Sequence, residues 1–316
     1  MLPGINSLLQ GCPSSPPPPL SVSNSHQNPP AIIPFPLPQD PIFTANDRAK
    51  KFKISHDTQS EENTLNVRVG DTVQNIRVKP RPTGNFSYND GSKYEGELSS
   101  VCSGIPHGQG TLIFANADKY EGEFFNGKRH GKGTLICANE SKYEGEFFNG
   151  IFHGEGTLEC FNKGKYTGQF FNGQRHGHGI LICANKDKYE GEFVNGKPHG
   201  HGILECFNGD KYEGEFFNGK YHGKGLLVWA RGSKYNGEFV NGEPHGHGVL
   251  DCFNGNKYEG EFFNGEPHGQ GTLIYASADK YEGEFFNGEL HGQGALTFVN
   301  GVKQEGKFVN GLYQKP

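Results

Sequence analysis

The chain has 316 residues, 48 of them Gly, with 30 basic and 35 acidic side chains and a formal charge of −5. Gly at more than twice the ~7% of ordinary domains, without collagen's third-residue spacing, and a single Met and single Trp disfavour a compact two-layer enzyme. No apolar run approaches the ~18 residues of a membrane-spanning helix, and the acidic balance lacks the basic footprint of a nucleic-acid binder.

Residues 1–46 are expected to be a disordered Pro/Ser-rich tail. Twelve of the 19 Pro lie between Pro3 and Pro41, and the first 39 residues carry no Lys, Arg, Asp or Glu. Too little apolar surface exists there to offset ordering entropy. The P-x-x-P spacing of Pro13 to Pro19 favours polyproline II, and the uncharged start resembles the leader of exported bacterial effectors. Residues 47–82 differ. Leu65, Val67 and Val69 alternate, Gly70-Asp71 gives a turn signal, and Val73, Ile76 and Val78 complete the pattern. This predicts a β-hairpin, serving as a cap or linker that covers the first edge of the periodic region.

From residue 83 the sequence is periodic. Tyr120, Tyr143, Tyr166, Tyr189, Tyr212, Tyr235, Tyr258 and Tyr281 stand 23 residues apart, and Tyr94 begins the series. Residues 83–316 therefore read as nine full repeats with two flanking half-repeats, a stacked repeat architecture. Each unit is one hairpin. Tyr120, Gly122 and Phe124 share a face opposite Lys119, Glu121 and Glu123, and the return strand sets Gly131, Gly133, Leu135 and Cys137 against Lys132, Thr134 and Ile136. Asn126-Gly127 supplies the positive φ angles of the loop between them. Gly at the strand centres, ordinarily weakening, leaves room here for Tyr and Phe rings to lie over the backbone.

The motif Y-E-G-E-F-x-N-G-x-x-H-G-x-G-x-L, carried by Tyr143 to Leu158 and its equivalents, resembles the MORN repeat. The resemblance covers Tyr94 to Gly311 and implies an all-β fold: an elongated, single-layer antiparallel sheet of stacked hairpins with no separate hydrophobic core. Its stability would be a sum of neighbour interfaces.

The chemistry-bearing columns read as scaffold. Cys137, Cys160, Cys183, Cys206 and Cys252 share a position that Phe114, Trp229, Tyr275 and Phe298 fill elsewhere, so it is an apolar packing site. Strand spacing keeps its members too far apart to bridge one another, and reduced thiols fit an intracellular setting. His107, His130, His153, His176, His199, His222, His245, His268 and His291 form a second column. His176/His178, His199/His201 and His245/His247 are H-x-H pairs without a fixed third ligand, so no metal site is expected. No Walker loop, G-x-G-x-x-G, G-x-S-x-G or H-E-x-x-H occurs, and neither catalysis nor a cofactor is expected.

Two binding surfaces remain. Lys119, Lys142, Lys165, Lys188 and Lys211 form a column that offers phospholipid headgroups a row of cations, and MORN arrays are often credited with membrane association. Each Lys is nevertheless matched by Glu, which opposes simple polybasic attraction. The second surface is an edge next to the His column. It carries Lys128, Arg129, Arg175, Lys197 and Lys220 in early repeats and Glu243, Glu266 and Glu289 in later ones. That gradient would let two copies meet antiparallel with opposite charges facing. The expected function is a non-catalytic scaffold or adaptor that binds a protein partner or itself. The alternatives are a peripheral module for acidic phosphoinositides and an exported bacterial effector. The expected location is cytoplasmic, at a membrane or the cytoskeleton in peripheral association, with secretion as an effector left open.

Overall fold

The computed structural model describes residues 39–40, the backbone of three strands at 53–55, 63–69 and 72–78, and residues 80–101 and 104–315. Apart from Gln39 and Asp40, the tail expected to be disordered lies outside the described residues. Those described contain no helix. The strands fall into two compact units, one ending at residue 174 and one beginning at residue 175.

The first unit holds β1 (Lys53–Ser55), β2 (Asn63–Val69), β3 (Thr72–Val78), β4 (Thr83–Ser87), β5 (Lys93–Leu98) and β6 (Pro106–Ile113). It continues with β7 (Lys119–Phe125), β8 (Lys128–Ile136), β9 (Lys142–Phe148), β10 (Ile151–Cys160) and β11 (Gly164–Phe171). From β4 onward each strand pairs antiparallel with the next in sequence. The hairpin predicted from Leu65 to Val78 is present as β2 and β3, paired with each other in a sheet of their own. The free side of β4 is paired not by that hairpin but by β1, with Ile54 opposite Gly84. Periodicity marks the hairpin, but three residues of β1 are too short to show any.

The second unit holds β12 (Gln174–Cys183), β13 (Lys188–Val194), β14 (Lys197–Glu205), β15 (Lys211–Phe217), β16 (Lys220–Val228), β17 (Lys234–Val240) and β18 (Glu243–Asp251). It continues with β19 (Lys257–Phe263), β20 (Glu266–Ile274), β21 (Lys280–Phe286), β22 (Glu289–Thr297), β23 (Lys303–Val309) and β24 (Leu312–Tyr313). Pairing is again antiparallel between sequence neighbours throughout.

One repeat shows why the sequence folds this way. Asn149 (φ 49°) and Gly150 (φ 85°) form the two-residue turn between β9 and β10, whose twist suits a hairpin. Past that turn, His153 faces Glu146 but Gly156 faces Gly145, so the return strand carries a two-residue bulge. The same shift recurs in the later hairpins, between Gly191 and Glu192 for example. The bulge frees backbone N–H groups, and the second Glu of the motif accepts one of them. Lys132 N–H donates to Glu123 Oε1 at 3.1 Å, and His201 N–H donates to Glu192 Oε1 at 3.1 Å. Glu123 and Glu192 are therefore committed to holding the bulge.

The interior is a file of rings on one face. Tyr143 is fully buried, stands edge-on to Phe147 of its own repeat at 5.1 Å, and stands edge-on to Phe170 of the next at 5.2 Å. Its hydroxyl donates to the Glu146 carbonyl at 2.9 Å. Repeated at Tyr212, Tyr235, Tyr258 and Tyr281, this arrangement makes each repeat the lid of its neighbour. A second tie runs between repeats. The Phe161 N–H donates to Ser141 Oγ at 3.1 Å, and the Ala138 N–H donates to Asp118 Oδ1 at 2.9 Å. Both acceptors are buried.

Candidate functional site

The sheet of each unit has two unlike faces, set by strand alternation. One carries the buried Tyr, Phe and Leu columns. The other carries the second aromatic of each Glu-Phe-Phe motif, the His column and the Lys–Glu pairs.

On the second face, exposed Phe rings alternate with imidazoles in a ridge that Val240 interrupts in the second unit. In the first unit it runs His107, Phe125, His130, Phe148, His153 and Phe171, with successive ring centroids 5.1–5.6 Å apart. In the second unit Phe217 lies between His199 and His222, and His245, Phe263, His268, Phe286 and His291 form a longer run at 5.2–5.6 Å. These Phe side chains remain about half exposed, 49–52%. Large apolar rings left open to water in a regular row mark an interaction surface. Sequence reasoning missed this column. Its signal is the second Phe, which falls out of phase with the first and so on the polar face.

The predicted lysine column lies along the same face and is ion-paired rather than open. Lys119 Nζ meets Glu121 at 2.6 Å, Lys142 meets Glu144 at 2.8 Å, and Lys188 meets Glu190 at 2.8 Å. Lys211 lies 3.9 Å from both Glu205 and Glu213. Lys165 is exposed and has Thr167 where its equivalents have Glu.

The predicted charged edge divides. Lys128, Lys197, Lys220, Glu243 and Glu266 are exposed at hairpin ends, and Glu289 is partly exposed. Lys220 pairs across the turn with Phe217, Glu266 with Phe263, and Glu289 with Phe286. The charges therefore border the ridge. Arg129 and Arg175 do not join them. Both are in phase with Gly131, Leu135 and their equivalents, so a period of two places them on the aromatic face. Arg129 is 1% exposed. Its column holds Phe152, Pro198, Tyr221, Pro244, Pro267 and Leu290 in other repeats, all buried.

The thiols behave as packing groups. Cys137, Cys160, Cys183 and Cys206 are free, and burial pushes the Cys137 and Cys206 thiols up to about 12. Cys252 departs from the expected reduced state: it is disulfide-bonded. Among the described residues no three His, Cys, Asp or Glu side chains converge as metal ligands would. The H-x-H pairs remain pairs.

The MORN repeat family model matches nine consecutive segments that tile residues 103–303: 103–119, then 120–142 and on in steps of 23 to 281–303. The chain belongs to the MORN repeat family. No curated relative matches it in sequence. Among solved structures, the TCP10 domain of Danio rerio CPAP in complex with a peptide of Danio rerio STIL is 10% identical, covering 74% of this chain and 98% of that one, with a TM-score of 0.36. The SAS-4 (dCPAP) TCP domain of Drosophila melanogaster, in complex with a proline-rich motif of Ana2, is 12% identical over 72% of this chain and 95% of that one, with a TM-score of 0.18. The virginiamycin B lyase of Staphylococcus aureus is 11% identical over 81% and 88%, with a TM-score of 0.15. At such scores these structures carry no inference about partners or chemistry. The MORN hairpins, in extended antiparallel sheets, fit a repeat scaffold or interaction module.

Proposed function

We propose that this MORN protein is a non-catalytic scaffold whose Phe–His ridge docks a protein partner, in the first instance a second copy of itself. The ridge carries the reading, because it is a half-exposed row of aromatic rings bordered by charge. Within the second unit the border passes from Lys197 and Lys220 to Glu243, Glu266 and Glu289. Two copies aligned antiparallel on that face would oppose lysines to glutamates while burying the rings, a self-complementary contact.

Light scattering of the full chain across a dilution series tests this. The expected result is a dimer that Glu243→Lys, Glu266→Lys and Glu289→Lys together convert to monomer. A mass unchanged by the triple substitution sinks the self-association. The ion pairs at Lys119, Lys142 and Lys188 weigh against the lipid alternative, since a headgroup would first have to displace Glu121, Glu144 or Glu190. Co-sedimentation with phosphoinositide vesicles at physiological salt is expected to leave the protein in the supernatant. Pelleting that Lys-to-Glu changes in this column abolish would replace the scaffold reading with a membrane one.

A further inference from the structure

The aromatic face of the first unit holds one group that a packing column does not need. Arg129 is 1% exposed, in a position that other repeats fill with Pro, Phe, Tyr or Leu and one fills with the less buried Arg175. A guanidinium buried there is costly unless an anion meets it. The anion comes from far away in sequence: Asp40 Oδ1 lies 2.7 Å from Arg129 Nε, and the two side chains are 11% and 1% exposed. The guanidinium is also tied to the sheet, because Nη2 donates to the Gly150 carbonyl at 2.9 Å. Phe114, Tyr120 and Phe147 surround it, with ring centroids 5.3–5.9 Å from Cζ. Gly150 leaves the space that the carboxylate enters, since a Cβ at that position would run into Asp40.

We infer that Arg129, the Gly150 carbonyl and the Phe114–Tyr120–Phe147 rings form a binding site for the carboxylate of an acidic peptide segment. Its occupant in this chain is the protein's own Asp40. The ligand class comes from the charge: a buried guanidinium held by one carbonyl and faced by rings calls for a single carboxylate as its counter-ion. Burial drives the Asp40 carboxyl up and the Arg129 guanidinium down, and the charge of each on the other opposes both shifts. Asp40 is therefore fastened to the first MORN unit through one desolvated ion pair. Any other acidic peptide must displace Asp40 to use that face.

A double-mutant cycle on the full chain tests the assignment by thermal melts. Asp40→Asn leaves the buried guanidinium without its counter-charge and is expected to lower Tm by on the order of 5–10 °C. Arg129→Met suits the apolar column. In that background the same Asp40→Asn change is expected to shift Tm by less than about 1 °C. Equal shifts in the two backgrounds, or none in either, would overturn the proposal. If the single variant does not fold, a benzophenone amino acid in place of Gln39, which is exposed, gives an independent reading in an otherwise unaltered chain. Photo-crosslinks mapping to peptides within residues 114–150 support the site, and crosslinks confined elsewhere, or none, overturn it.

Discussion

Gly156→Ala is the substitution that bears most directly on why this sequence forms single-layer sheets. Gly156 faces Gly145 across the β9–β10 ladder, and its φ is not in the positive region, so an added methyl meets no backbone penalty. It meets Tyr143. The new Cβ would stand 2.5 Å from Oη, 2.7 Å from Cζ and 2.8 Å from Cε2 of a ring that is 0% exposed and stacked on Phe152 at 3.7 Å. If the ring shifts within its slot, overpacking costs about 1–3 kcal/mol. If it is expelled, about 1.5–3 kcal/mol of burial is lost, with about 1 kcal/mol more for the hydroxyl bond to Glu146. The expected loss is therefore about 2–4 kcal/mol, read from urea unfolding monitored by circular dichroism. The discriminating measurement repeats the change in a Tyr143→Ala background. With the ring gone, Gly156→Ala should be neutral or stabilise by about 0.5 kcal/mol, because Gly is the costlier strand residue. An equal penalty in both backgrounds would refute the argument that Gly is there to seat the ring.

Further outcomes rest on the same geometry. Ser233→Ala orphans the N–H of Phe253, which donates to the buried Ser233 Oγ at 3.1 Å. Chemical denaturation should show a loss of about 1–3 kcal/mol. Cys137 and Cys206, with thiols raised to about 12 by burial, should react with iodoacetamide at mildly alkaline pH far more slowly in the native chain than in urea. Burial also raises the hydroxyls of Tyr275 and Tyr281 from 10.0 to about 12. The native state then holds protons that the unfolded chain has released, so their contribution is whole below pH 10.0 and is lost as pH rises through about 12. Melting temperatures should fall across that window, and a flat profile would show that these hydroxyls ionise without unfolding the sheet.

Much of this molecule is legible in its sequence because the controlling interactions lie within one period. The 23-residue repeat of Tyr, Gly and Phe announces stacked hairpins, Asn149-Gly150 and its equivalents fix the turns, and strand alternation sorts Tyr143 from Lys142. The same alternation places Arg129 with Leu135 rather than with Lys128. Grouping it with the charged edge gives its charge more weight than its phase. The bulge at Gly154 and Glu155 is less visible. Its two extra residues preserve that phase, so the pattern looks unbroken while, at equivalent bulges, Glu123 and Glu192 turn to the backbone. The Phe–His ridge needs neighbouring strands in register before single rings at 23-residue intervals become one surface. Asp40 has no local signal at all. A carboxylate in a proline-rich stretch carries no periodic mark of the distant strand it will meet. Periodic positions declare their environment because each neighbour repeats it, whereas an ion pair between a repeat and a non-repeating segment is decided only where the folded chain brings the two together.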